Sequence, residues 1–321
     1  MENEQEQYEE STERTEVDES RTAKNNGNAI LIGSAMISVA LVASVFIYVS
    51  AAKRPTETAA VANPQAASVS ALENAVVPQG GVTLPVVWGD LGKKMVAAGV
   101  IDEAQFSALY ATRGGVPTST KALLDNADNS KLVITPQNAG TLLNLLWAFG
   151  LSNKNTILES GPMQNPQYGG AANFASTGGW TLAVGSAMNH YSAHSFVTLT
   201  ADQQSLVESV AKNIYRPCCG NSTYFPDCNH GMAMLGLLEL MASQGATESQ
   251  MYQAALVANS YWFPDTYLTI AAYFESKGIN WNAVDPKTVL GASYSSAQGY
   301  QTIESQIQPV QGKSSGGCGV Q

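Results

Sequence analysis

Apolar positions change their spacing along this chain, and each change predicts a different element. Ala29 to Ala52 (AILIGSAMISVALVASVFIYVSAA) is a run without a single charged residue. As a helix it would extend about 36 Å, enough to cross ~30 Å of hydrocarbon with some tilt. A cleaved leader is shorter and has a basic start, so the run predicts a permanent membrane-spanning helix. From Pro85 onward the apolar residues recur at helical spacing. They predict helices over roughly 86–99, 102–112, 117–125 and 136–150, the last opening with Thr135 as cap and Pro136 at its first position. Thr200-Ala201-Asp202-Gln203 and Thr247-Glu248-Ser249-Gln250 are capping boxes, which start helices reaching about Tyr215 and Trp262. Gly245 closes the helix before the second box, and a further helix runs from Asp265 to Ser276 and stops at Gly278. No alternating run is long enough to predict a strand. The class is therefore mainly α: a single-pass N-terminal transmembrane helix followed by a multi-helix globular domain with a long Gly/Asn-rich loop.

Charge divides the chain further. The first 24 residues hold nine acidic and three basic side chains and account for about −6 of the formal net charge of −10. Residues 1–28 thus read as a disordered acidic tail. Residues 29–52 are the membrane segment, 53–84 an Ala/Pro-rich spacer, 85–308 the helical domain, and 309–321 a flexible Gly/Ser tail carrying Cys318. Arg14, Arg21 and Lys24 on one side of the apolar run nearly balance Lys53 and Arg54 on the other. The low charge of the later domain and its closely gathered cysteines place it outside the cell, with the short tail cytoplasmic. That predicts a cell-membrane location, the membrane as a partner, and an envelope protein as a further one. No basic patch with interleaved aromatics is present, so a nucleic-acid partner is not expected.

Between Gly161 and Ala201 there is no Asp, Glu, Lys or Arg, while Gly, Asn and aromatic residues abound. A charge-free loop of this size is either packed against the domain or forms a neutral binding surface. It holds two of the three histidines, His190 and His194.

The chemistry concentrates in Pro217-Cys218-Cys219 and Cys228-Asn229-His230, which place three of the four cysteines and the remaining histidine within thirteen positions. Clustered thiols and imidazoles suit a transition metal, copper or zinc. The candidate ligands are Cys218, Cys219, Cys228 and His230, with His190 and His194 as additional ones. The spacing Cys-Cys-x8-Cys-x-His matches no standard zinc module, so two alternatives stand beside it. Cys228 can pair with Cys218 or Cys219 in a disulfide that stabilises a non-catalytic interaction domain. Or Cys228, at a helix entrance after Asp227, is a reactive thiol with Cys318 as its resolving partner. Neither a cofactor nor a catalytic residue is assigned, and whether the chain is an enzyme stays open. His-Glu-x-x-His, phosphate-loop and dinucleotide motifs are absent.

Two smaller features complete the picture. Asn221-Ser222-Thr223-Tyr224-Phe225-Pro226-Asp227 is echoed by Asn259-Ser260-Tyr261-Trp262-Phe263-Pro264-Asp265, each copy reading as an aromatic-Pro-Asp helix entry with Asp as the cap. Glu239 interrupts an apolar helix and shares a stripe with Gly236 and Ser243, which predicts a solvent-facing side chain.

Overall fold

The computed structural model describes residues 64–308, all within one unit spanning Ala62–Gln321. In order they form α1 (Pro64–Val76), β1 (Val82–Gly89), α2 (Leu91–Ala97), α3 (Glu103–Ala111), α4 (Thr118–Asp125), β2 (Asp128–Ile134), α5 (Ala139–Ser152), α6 (Thr156–Ser160), α7 (Ala175–Gly178), α8 (Ala201–Ala211), α9 (Asn229–Ser243), α10 (Glu248–Trp262), α11 (Pro264–Ser276), α12 (Pro286–Leu290), α13 (Ala292–Ser295) and α14 (Ala297–Glu304).

The centre of the molecule is the α5–α9 pair. Both helices are apolar all round, with every α5 residue but Gly140 buried and α9 buried from Asn229 to Ala242. Helices of that kind belong in a core. They meet at two glycines: a Cβ on Gly236 would stand 2.5 Å from the Leu146 carbonyl oxygen and 3.1 Å from the Gly150 Cα. Only hydrogen at both positions allows so close a backbone approach. Around this pair pack α8 and α10, the latter two opened by the expected capping boxes at Thr200/Gln203 and Thr247/Gln250.

Residues expected to begin the first domain helix instead form β1, which pairs antiparallel with β2. The buried positions of β1 alternate, with Leu84, Val86 and Trp88 inward, so half of the apolar content that resembled a helical face is a strand face. The fold is thus mainly helical with a two-stranded sheet. The spacer expected over 53–84 overlaps α1, β1 and the turn between them, where Leu72, Val76, Val77 and Leu84 are buried in the core. The charge-free segment is packed rather than free: one-turn helices at Pro162–Gln164, Pro166–Tyr168, Ala171–Asn173, α7 and Ala187–Asn189 follow one another, and Met163, Trp180 and Leu182 are buried.

The membrane expectation is corrected. Among the described residues no helix is long and apolar enough to cross a membrane. The longest, α9 and α10, have 15 residues each. That is about 22 Å, short of ~30 Å of hydrocarbon, and their apolar surface is spent in the core. Residues 29–52, on which the single-pass anchor rested, lie outside the described residues. The cell-membrane location, the outward orientation, and the membrane and envelope partners that depended on the anchor are withdrawn with it. The acidic tail and the tail carrying Cys318 also lie outside the described residues.

Candidate metal centre

Two stretches converge at the N-terminus of α9. After α8 the chain turns back on itself: Thr223 N donates to the Ile214 carbonyl at 2.8 Å, and Tyr215 bridges Ser222. This narrow turn presents Cys218 and Cys219. The return strand leads through Phe225, which sits among Tyr168 and Phe174 with ring centroids 5.4 Å away, to Asp227 and Cys228.

Cys228, rather than Asp227, caps α9: its Sγ accepts from Gly231 N at 3.5 Å. Asp227 instead serves Arg216 and Asn221. Its Oδ1 pairs with Arg216 Nη2, and its Oδ2 accepts from Asn221 Nδ2 at 2.7 Å. In the second copy of the echo Phe263 occupies the cap position of α11 and makes no side-chain cap, with Pro264 opening the helix. Neither aspartate therefore plays the capping role that the repeat predicts. The second copy still contributes to the site, because Phe263 packs on the His230 ring at 4.3 Å between centroids.

The ligand atoms of Cys218, Cys228 and His230 all lie within 4.8 Å of one another, and so do those of Cys219, Asp227 and Cys228. Cys218 Sγ is 3.5 Å from Cys228 Sγ and 4.0 Å from His230 Nδ1. Cys219 Sγ points toward Asp227 Oδ1 at 3.8 Å. Cys228 and His230 are buried. His230 Nε2 has no hydrogen-bond partner and Nδ1 faces the sulfurs. Such a cluster of thiols, imidazole and carboxylate can hold a metal ion.

Cys218, Cys219 and Cys228 are free cysteines, which corrects the disulfide expectation. The Cys218 and Cys228 sulfurs stand 3.5 Å apart, against about 2.05 Å in a bond. The spacing permits the pairing, but the turn holds the Cys218 and Cys228 thiols at contact distance.

The electrostatics centre on Arg216, which sequence reasoning missed. Its side chain is almost wholly buried (1% exposed) and each of its three nitrogens donates a hydrogen bond. Nε donates to Cys228 Sγ at 3.0 Å, Nη1 to the Asn221 carbonyl at 3.0 Å, and Nη2 to the Phe225 carbonyl at 3.0 Å as well as to Asp227. Hydrogen bonds from Cys218 and Cys219, the Arg216 charge and His230 together hold the Cys228 thiol well below its ordinary range, against the opposing effect of burial. Cys218 is pushed far up by its hydrogen bonds with Cys219 and Cys228 and by burial. The fold thus favours the thiolate on Cys228 and the protonated thiol on Cys218. Arg216 lies one residue before Pro217, and an isolated arginine beside Pro-Cys-Cys gave no periodic signal to announce its burial.

The loop histidines do not join this cluster; they meet each other. His190 Nδ1 and His194 Nε2 are 3.0 Å apart, with nearly parallel rings, and His190 Nε2 lies 3.2 Å from the Val184 carbonyl oxygen. A carbonyl only accepts, so His190 Nε2–H donates to it, and with a neutral His190 ring Nδ1 accepts from His194 Nε2–H. Glu239 overturns its expectation too. It is fully buried, its Oε2 accepts from Asn153 Nδ2 at 2.6 Å, and desolvation raises its pKa well above the usual carboxylate range. The stripe it shares with Gly236 is the one that faces α5, not water.

No protein-family model, curated protein or solved structure matches the chain, so the chemistry of this centre rests on its own residues and distances.

Proposed function

We propose that the chain binds a thiophilic transition metal, zinc or copper(I), at Cys218, Cys228 and His230. The convergence of two sulfurs and one ring nitrogen within 4.8 Å at a buried helix start carries this reading. Clustered thiolate and imidazole donors are what such ions select. Cys219 is the reserve donor, one sulfur away from the set and turned toward Asp227. His190 and His194 are satisfied by each other and are left out of the ligand set. Metal removal should therefore leave them unchanged.

The test is metal content of the purified full chain, prepared under reducing conditions, with free-thiol counting. Near one equivalent of metal, held much more weakly in Cys218→Ser, Cys228→Ser and His230→Ala but unchanged in His194→Ala, supports the proposal. A chain that binds no metal with its thiols free overturns it. The depressed Cys228 thiol beside Cys218 favours a second reading, a reactive thiol in exchange chemistry. In that case a metal-free chain would react stoichiometrically with a mixed-disulfide reagent at Cys228.

A further inference from the structure

We infer that Asp227, by cancelling the buried Arg216 charge beside the Cys228 sulfur, keeps the centre matched to a divalent rather than a monovalent metal; this rests on the metal reading above. Metal ligation removes the thiol protons, so Cys218 and Cys228 bring two negative charges and His230 none. Arg216 and Asp227 cancel each other. A divalent ion with two thiolates then leaves the buried centre neutral, whereas a monovalent ion leaves it at −1. Uncompensated charge at a site with Arg216, Cys228 and His230 at or below 5% exposure is expensive.

Asp227 is placed in the counter-charge role. Its Oδ1 pairs with Arg216 and its Oδ2 accepts from Asn221, so both oxygens are already engaged away from Cys218 and His230. Arg216 is fixed as firmly, with Nε on the Cys228 sulfur and its remaining nitrogens on two carbonyls and Asp227. Gly231 makes room for it: a Cβ there would meet the guanidinium carbon at 2.5 Å. A salt bridge placed against a ligand sulfur, with no ligand role of its own, is a specificity device.

The experiment measures the ratio of Zn2+ to Cu+ affinity of the full chain by anaerobic competition with chelators of known strength. Asp227→Asn leaves Arg216 unbalanced, so the ratio should move toward Cu+ by about tenfold or more. Arg216→Met leaves Asp227 unbalanced, so the ratio should move toward Zn2+ by a similar factor. Arg216→Lys keeps the charge and should leave the ratio close to wild type. If one of the first two variants does not fold, the other decides with Arg216→Lys as its control. Unchanged ratios, or shifts in the same direction, overturn the inference while leaving metal binding intact. A wild-type chain that takes up neither ion instead sinks the underlying reading.

Discussion

Arg216 Nε lies 3.0 Å from Cys228 Sγ, and both side chains are removed from water. A charge-assisted hydrogen bond in a dry site is strong, and it explains why an arginine is buried at all. Each partner is the other's solvation. The cysteine is held as a thiolate by donors, and the guanidinium is held by that sulfur, two carbonyls and Asp227.

The thiolate should report itself by pH. Because the fold depresses the Cys228 pKa, its contribution to stability is present above the unfolded value of 9.0 and is lost as pH falls through the lowered folded value. Thiolate ultraviolet absorbance of the metal-free Cys218→Ala, Cys219→Ala chain should persist below pH 9 and vanish on unfolding. The double change removes two of the donors, so the remaining depression isolates Arg216 and His230. Adding Arg216→Met should return the midpoint toward the ordinary thiol range.

Gly231→Ala should displace the guanidinium. Overpacking a filled site costs about 1–3 kcal/mol, read by urea unfolding. The same change should weaken metal uptake, because Cys228 loses the donor that fixes its sulfur. Gly220, which has open space around its Cα, is the control position.

Gly236→Ala tests the scaffold at a distance from the centre. Its Cβ would press on the Leu146 carbonyl 2.5 Å away and force α5 and α9 apart. Backbone cannot yield as a flexible side chain can, so a loss of about 2–4 kcal/mol is expected. Thermal unfolding measures it.

Buried Glu239 gives the opposite sign to Cys228. Its folded pKa is raised, so its stabilising contribution is complete below the unfolded value of 4.5 and is lost as pH rises through the folded value. Glu239→Gln should keep the Asn153 hydrogen bond, remove this dependence, and stabilise the chain at neutral pH. The gain is about 1.4 kcal/mol for each unit by which burial raises the acid. Unfolding free energy measured from pH 4 to 8 in both proteins checks it.

Much of the helical body was legible in sequence because local signals and burial agree. Both capping boxes start their helices as read, and α3, α4 and α11 fall within a residue or two of expectation. The strand at Val82–Gly89 was not legible, since five apolar residues in eight suit a helix face as well as a strand. Cys218, Cys228 and His230 were found from their crowding alone. Arg216 and the environment of Glu239 were not, because burial of a single charged residue depends on partners far along the chain: Asn153 is 86 positions from Glu239. His190 and His194 looked like ligands by type, and only the fold shows that they satisfy each other.

X-ray absorption of the zinc-loaded full chain tests the central claim most directly. Two sulfurs near about 2.3 Å and at least one nitrogen near about 2.0–2.1 Å are predicted, with one sulfur lost in Cys218→Ser or Cys228→Ser. A shell of nitrogen and oxygen only, unchanged by either substitution, would contradict it.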